Sequence, residues 1–432
     1  MSIVTDEVKK IERRIRSGEL RPGERLSSIR DYAQNQGLAP NTAATVYQVL
    51  GRRGLVKGYG RRGTFVAEIP PVYRPVAQPV PTGVVDLASG NPDPEFLFDL
   101  DGPLAAVSRK RALYGDVEML PELEAWMRQW FVADGISADH IGVVSGALDG
   151  VERVLAAHLK TGDRVAVEDP GYPWVFNLCQ AMGFEIVPVT IDDEGMVADH
   201  LARAINGGIE AVILTPRAQN PTGAAVTQQR ASELLSVLDS APEVLVIEDD
   251  HAAEAAGWPH FAVANQTMAR WAVLRSTAKS FGPDLRVAGL VGDEATVARV
   301  KGRQALGPGW VSGILQQLVV QMVAAPDVDD RLRHAAKMYD RRRNACAEVL
   351  RGAEIPVTGT TGLNLWVPVS DEASVVAAMQ DRGFSVRSGA RHRIKTSPAI
   401  RITTANTKTE TLVKAAGALV EILTRQSYAR ST

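Results

Sequence analysis

Ile3, Val4, Val8, Ile11 and Ile15 recur at helical spacing, which predicts an amphipathic helix over residues 3–16, closed by Gly18 and Pro22. A second helix is expected to start with Ser27 or Ser28 as N-cap and to run to about Asn35, where Gly37 ends it. Pro40 suits the first turn of a third helix that reaches about Arg52, with Ala43, Val46, Val49 and Leu50 facing inward. After Gly54, residues 55–66 read as two short apolar strands around a Gly- and Arg-rich tip, the pattern of a hairpin wing. Pro70, Pro71, Pro75, Pro79 and Pro81 then exclude a helix or interior strand, so a proline-rich, semi-rigid linker is expected over 68–84. Beyond it, apolar strands at Arg164 to Val167, Glu185 to Val189, Ala211 to Leu214 and Val244 to Ile247 alternate with helical segments. That alternation predicts an α/β domain, residues 85–432, with a mostly parallel sheet.

Composition sharpens this division. A chain of 432 residues with 45% apolar content exceeds one compact core. No run reaches the roughly 18 apolar residues of a membrane span, and Asp6, Glu7, Lys9 and Lys10 stand where a signal core would be apolar, so a cytoplasmic location is expected. Cys179 and Cys346 are far apart and lack metal-site spacing, which argues for reduced packing residues and against a disulfide framework or a bound metal. The net charge of −2 is unevenly spread: residues 1–67 hold thirteen Lys/Arg against six Asp/Glu. A basic module on an acidic body suits nucleic-acid binding, although solvated charged helices also produce such an excess.

Within the module, the third helix carries Asn41, Thr42, Thr45 and Gln48 on its polar side, short donors and acceptors suited to phosphates and base edges in a major groove. Arg30, Arg52 and Arg53 flank it, and Arg61 and Arg62 at the wing tip offer guanidinium forks to phosphates or a minor groove.

In the body, four separate segments describe one site. Lys279, in the Ser/Gly-rich run Ser276 to Gly289, is placed to lose its proton by desolvation and form an imine, with Arg286 and Ser276 as phosphate ligands. A Lys near an Arg is also commonly surface charge. The strand Val244 to Ile247 ends in Glu248, Asp249, Asp250 and His251; Asp249 suits a protonated pyridine nitrogen, and an acid pair for magnesium or helix capping is the competing reading. Ala218 to Gly223 is a turn whose Asn220 amide can donate to a ring hydroxyl. Ser145, Gly146 and Ala147 open a helix with free amides suited to a phosphate, and Tyr172 offers an aromatic face or simple packing.

The head resembles the GntR family of winged-helix regulators through Leu20 to Leu26, Ser28-Ile29-Arg30, Asn41-Thr42 and Gly60 to Val66, with Ala39-Pro40 replacing the family's usual Ser-Arg. Residues 85 to 425 resemble fold-type I aminotransferases, and the whole chain is similar to the MocR subfamily, in which these two parts are fused. The resemblance implies a winged helix-turn-helix joined to an aminotransferase body with a smaller C-terminal α+β subdomain, and pyridoxal 5'-phosphate as cofactor. It makes Lys279 the Schiff-base lysine that holds the cofactor as an internal aldimine, with Asp249 on the pyridine nitrogen and Asn220 and His251 near O3′. Ser145, Gly146, Ala147, Ser276 and Arg286 become the phosphate cup, Tyr172 the stacking ring, and Arg401 the receiver of an effector carboxylate. Tyr114 becomes a residue that reaches the neighbouring subunit's cofactor, implying a homodimer. His251, Trp174, Met119 and Glu124 depart from the usual residues, which implies a tuned pocket or weakened transamination. The expected function is therefore an operator-binding transcriptional regulator responding to the cofactor or to an amine or amino acid. Vitamin B6 metabolism is the first expected target and amine or amino-acid catabolism the second. The rival readings are an active aminotransferase with a DNA-binding head and a sensor with a vestigial site.

Overall fold

The computed structural model describes residues 3–52, 55–58, 60–67, 80–107, 113–116 and 118–431. The chain divides into two compact units, one beginning at the N-terminus and one holding most of residues 76–432. Most of the expected proline-rich linker, residues 68–79, lies outside the described residues, as do Arg53 and the side chains of Arg52 and Arg61.

Three helices form the head: α1 (Ile3–Arg16), α2 (Ile29–Gln36) and α3 (Pro40–Arg52). Ser28 caps α2 by accepting from the Asp31 amide, and Gly37 ends it in the left-handed conformation that glycine adopts without a Cβ penalty. Val8, Ile11, Ala33, Ala43, Val46 and Leu50 close the core between the helices. The strands β1 (Val56–Gly58) and β2 (Thr64–Val66) pair antiparallel, Val56 opposite Val66. A third segment joins them: Arg25 bridges to Phe65, while the Leu26 amide donates to the Thr64 carbonyl and the Val66 amide to the Glu24 carbonyl. Gly63, at φ 101°, is required here, because a Cβ would sit 2.8 Å from Arg25 Nε.

The body starts with β3 (Val85–Leu87). Its large sheet consists of β4 (Ile141–Val144), β5 (Arg164–Asp169), β6 (Glu185–Asp192), β7 (Gly195–Met196), β8 (Ala211–Leu214), β9 (Leu245–Asp250), β10 (Trp271–Ser276) and β11 (Ala288–Gly292). These lie in the order β4-β11-β10-β9-β8-β5-β6-β7. β8, β9 and β10 are parallel, and β11 runs antiparallel to both β10 and β4, so β4 points the same way as β8 to β10. A smaller sheet of β12 (Asn364–Pro368), β13 (Phe384–Ser388) and β14 (Ala399–Thr403) has the order β12-β14-β13-β3. The body is thus a mixed, mostly parallel α/β sheet with a second, smaller α+β layer. One face of the small sheet, with Leu365, Val367, Val386, Ile400 and Ile402, packs into an apolar core shared with Cys346, Leu350 and Leu419 of the long helices Val328–Gly352 and Thr409–Ser431. Both cysteines are free and buried.

Candidate functional site

Parallel strands deliver their following loops to one edge, and the predicted residues collect there. Val144 and Ser276 both lie opposite Ala288 in the register, so the loops after β4 and β10 leave the sheet side by side. Between them Arg286, in a left-handed conformation at φ 49°, donates from Nη2 to the Ser145 carbonyl at 3.0 Å. Gly146 has φ 98°, and a Cβ there would lie 2.3 Å from Arg286 Nη2. The missing side chain leaves a cradle of backbone amides and guanidinium at the start of the helix Ala147–His158. Ser276 is buried there, its hydroxyl accepting from the Ala278 amide at 3.2 Å.

Lys279 follows on the loop after β10, and its Nζ donates to the Gly90 carbonyl at 2.8 Å. Burial, reinforced by the charge of Arg401, pushes its ammonium down to about 8, so a substantial share of the amine is neutral near physiological pH. The same burial, with Lys279 as the next influence, lowers His251 to about 4 and keeps the imidazole neutral.

Three acids stand in a row on β9, and the strand's alternation separates them. Glu248 and Asp250 point to one face and Asp249 to the other. On the first face Asp250 accepts from Arg217 Nε at 2.9 Å and Nη2 at 2.8 Å and from Arg275 Nε at 2.7 Å. His260 bridges onward, its Nε2 2.6 Å from Glu248 and its Nδ1 2.8 Å from Arg275 Nη2. Asp249 has no such neighbour. It is 5% exposed, and its Oδ1 is buried without a hydrogen-bond partner. Burial, with Asp250 and Glu168 adding repulsion, raises its carboxyl to about 7.

Tyr172 lies beside Asp249 in a small cavity with Glu168, Gly171 and Thr215. Burial raises its hydroxyl to about 12, and the charges of Asp249, Arg401 and Arg286 all act on it. Asn220 accepts from Arg401 Nη1 at 3.0 Å through Oδ1, which leaves Nδ2 as its donor end. Arg401, on β14, is 5% exposed and donates from Nη2 to the Ala88 carbonyl at 2.6 Å, while its Nε is buried without a partner. The structure therefore brings together Ser145, Gly146, Ala147, Tyr172, Asn220, Asp249, His251, Ser276, Lys279, Arg286 and Arg401. Tyr114 stands apart, 95% exposed, with its ring edge-on to Trp310. In the head, Arg30, Asn41, Thr45 and Gln48 are exposed and Thr42 is half-buried.

Several functional neighbours escaped sequence reasoning. Asp169 accepts from the amides of Ile394 and Lys395 and from the Thr396 hydroxyl, and Gly171 exchanges hydrogen bonds with His392, so the Tyr172 loop is tied to the chain leading into β14. Glu168, raised by burial to about 7, is held by the Thr215 amide and the Gln219 side chain. An arginine directly after the apolar run Trp271 to Leu274, still within the buried strand β10, was a usable signal that an acid lay opposite Arg275.

The site fits pyridoxal phosphate on its own geometry: a buried acid oxygen without a partner for a ring nitrogen, an amine whose proton burial loosens, and a guanidinium that glycine lets approach the amides of a helix start, for a phosphate. Residues 82–419 match the family described as aminotransferase class I and II. Over 396 residues, 91% of this chain and 92% of the relative, the sequence is 39% identical to the vitamin B6 salvage pathway transcriptional repressor PtsJ of Salmonella typhimurium. It is 25% identical over 407 residues, covering 89% and 87%, to the pyridoxine biosynthesis transcriptional regulator PdxR of Corynebacterium glutamicum. In fold, the body is similar to a kynurenine aminotransferase of Pyrococcus horikoshii, with a TM-score of 0.73 and 20% identity over 80% of this chain and 92% of that one. An aminotransferase class I and II body that binds pyridoxal phosphate is thereby joined to a helix-turn-helix head. The chain belongs to the MocR subfamily of GntR-type transcriptional regulators. Among the described residues, no helix is long and apolar enough to cross a membrane.

Proposed function

We propose that this protein is a cytoplasmic, homodimeric operator-binding regulator that reports the supply of pyridoxal phosphate, or of an amine or amino acid that reacts with it, and that its targets serve vitamin B6 metabolism. The observation that carries this reading is the Asp249 carboxylate, buried and unpartnered in the same pocket as Tyr172. A fold tolerates such a group when a ligand completes it. The two relatives named for vitamin B6 salvage and pyridoxine biosynthesis support the choice of target.

Each residue has a role that follows from its surroundings. When bound, pyridoxal phosphate supplies an aldehyde carbon for covalent attachment and an electron-withdrawing ring. Lys279 Nζ, held by the Gly90 carbonyl and depressed towards neutrality, would be the amine that holds this carbon. Asp249 would face the ring nitrogen and keep a proton there. Arg286 and the amides from Ser145 to Ala147 take the phosphate, with the Ser276 hydroxyl as a further donor. Tyr172 would cover the ring, Asn220 Nδ2 and the neutral His251 would serve its hydroxyl, and Arg401 Nε would take an effector carboxylate. Exposed Tyr114 is offered to the partner subunit of the homodimer. In the head, Asn41, Thr42 and Thr45 read the major groove, Arg30 holds phosphate, and the wing arginines Arg61 and Arg62 follow the backbone. A ligand shifts DNA affinity through unequal affinity for two conformations.

Spectroscopy and footprinting test this directly. The purified protein is expected to show an absorbance band near the visible edge that is lost in Lys279→Ala, and its footprint upstream of its own gene is expected to change with pyridoxal phosphate. A colourless wild-type protein, or a footprint indifferent to the cofactor, overturns the reading. Rapid turnover of amino acids with an oxo-acid acceptor, without promoter binding, would establish the aminotransferase instead.

A further inference from the structure

The small sheet presents a row of three side chains on the face opposite its apolar core. Leu365, Val367, Val386, Ile400 and Ile402 all pack into that core. Alternation therefore turns Trp366, Arg387 and Arg401 the other way. In the register Arg401 stands between them, directly opposite Trp366 on β12 and opposite Arg387 on β13. Two guanidinium groups thus lie side by side. They share one acceptor, for Arg401 Nη2 and Arg387 Nε both donate to the Ala88 carbonyl, at 2.6 and 3.2 Å.

Elsewhere this protein pairs its buried arginines with acids: Arg217 and Arg275 with Asp250, Arg230 with Asp192, Arg342 with Asp93, Arg343 with Asp340. Among the described residues neither Arg387 nor Arg401 has a carboxylate partner. Asp86, whose charge acts on Arg401, gives its Oδ1 to the amides of Ala88 and Ser89. Burial, and after it the charge of Arg387, lowers Arg401 to about 10, against smaller opposing pulls from Tyr172 and Asp86. Its Nε points to no acceptor at all. Two adjacent cations, one of them fully buried, are costly unless an anion arrives between them.

We propose that the effector pocket is built for a small amino or oxo acid with two acidic groups, an α-carboxylate on Arg401 and a second acid on Arg387, and that Arg387 sets this specificity. The proposal rests on the reading of the site as a cofactor-loaded effector pocket. Trp174, which lies on the helix Pro173–Ala181, supplies no cation, so β13 rather than that helix provides the second guanidinium.

Titration of the cofactor-loaded full-length protein tests it, with the visible absorbance band as readout. L-aspartate and L-glutamate are compared with L-asparagine and L-glutamine, which keep the shape and remove the charge. The diacids are expected to reach half-saturation at concentrations about tenfold lower or more. Arg387→Met is expected to bring the ratio of diacid to amide close to one, and Arg387→Lys to restore part of it; a merely structural role for Arg387 would move all four ligands together. Equal midpoints in the wild type, or a uniform loss in Arg387→Met, overturn the proposal. A second arm needs no cofactor: succinate is expected to raise the melting temperature of cofactor-free protein more than butyrate does, and this difference is expected to vanish in Arg387→Met. An absent band sinks the cofactor reading alone, and the succinate arm then decides on the arginine pair, with no difference between the two acids overturning it.

Discussion

Asp249 and Asp250 are consecutive on β9 and opposite in electrostatic state. Burial works against both. Arg217 and Arg275 nevertheless hold Asp250 well below the usual carboxylate range, while Asp249, with no cation beside it, rises to about 7. One acid keeps the sheet together, and its neighbour is held in reserve for a ligand.

The reserve acid makes the cofactor-free protein sensitive to pH. Asp249 binds a proton more tightly when folded than its ordinary value of 3.8, so its contribution to stability is full below about pH 4 and is lost as pH rises through about 7. A shift of this size is worth a few kcal/mol, on the order of 4. Asp249→Asn is therefore expected to raise the melting temperature of cofactor-free protein at pH 8 by several degrees, with little change at pH 4. The same substitution is expected to weaken cofactor binding, as measured by loss of the visible band in dialysis.

Asp250→Asn goes the other way. It leaves Arg217 and Arg275 buried without their main counter-charge, an arrangement that costs about 3–5 kcal/mol. A lower midpoint in urea denaturation is expected whether or not the cofactor is present.

The rate of cofactor capture follows the neutral fraction of Lys279. With its ammonium near 8, uptake of pyridoxal phosphate is expected to climb with pH and to level off above about pH 8, rather than near the ordinary 10.5. Stopped-flow absorbance across pH 6.5 to 9.5, on the order of one profile per variant, measures this.

Gly146→Ala places a methyl group where Arg286 Nη2 now lies, at a backbone φ that alanine rarely adopts. The cofactor is expected to bind about tenfold more weakly or worse, because a charged hydrogen bond to phosphate is worth about 1.5–3 kcal/mol. Pyridoxal, which lacks the phosphate, is expected to be affected far less.

In the head, Arg30→Ala is expected to weaken binding to all DNA sequences alike and to reduce the salt dependence of the affinity by about one phosphate contact. Asn41→Ala is expected to cost about 1–3 kcal/mol on the specific operator and little on random DNA. Electrophoretic mobility shifts at several salt concentrations separate the two.

Local signals were readable where short-range chemistry decides the structure. Ser28, Gly37 and Pro40 mark helix ends by capping and φ preference, and all three do so in the fold. Asp249 was legible because it lies at the end of a recognisable apolar strand, and Lys279 and Asn220 because each lies in a loop that follows one. Nonlocal register was harder to read. Arg387 meets Arg401 only through the pairing of β13 with β14, and the segment Glu24 to Leu26 joins the wing only through bonds to Thr64 and Val66. The state of the acids on β9 could have been argued further, since alternation alone puts Glu248 with Asp250 and isolates Asp249. Which face would meet Arg217 and Arg275 depended on residues 25 or more positions away.

Ala88 and Gly90 are separated by one residue, and their carbonyls moor three cations: Arg401 and Arg387 on the first, Lys279 on the second. This short loop directly follows β3, the first strand of the body. Whatever neutralises or withdraws one of those cations slackens a mooring on the very stretch of backbone that leads back towards the N-terminus.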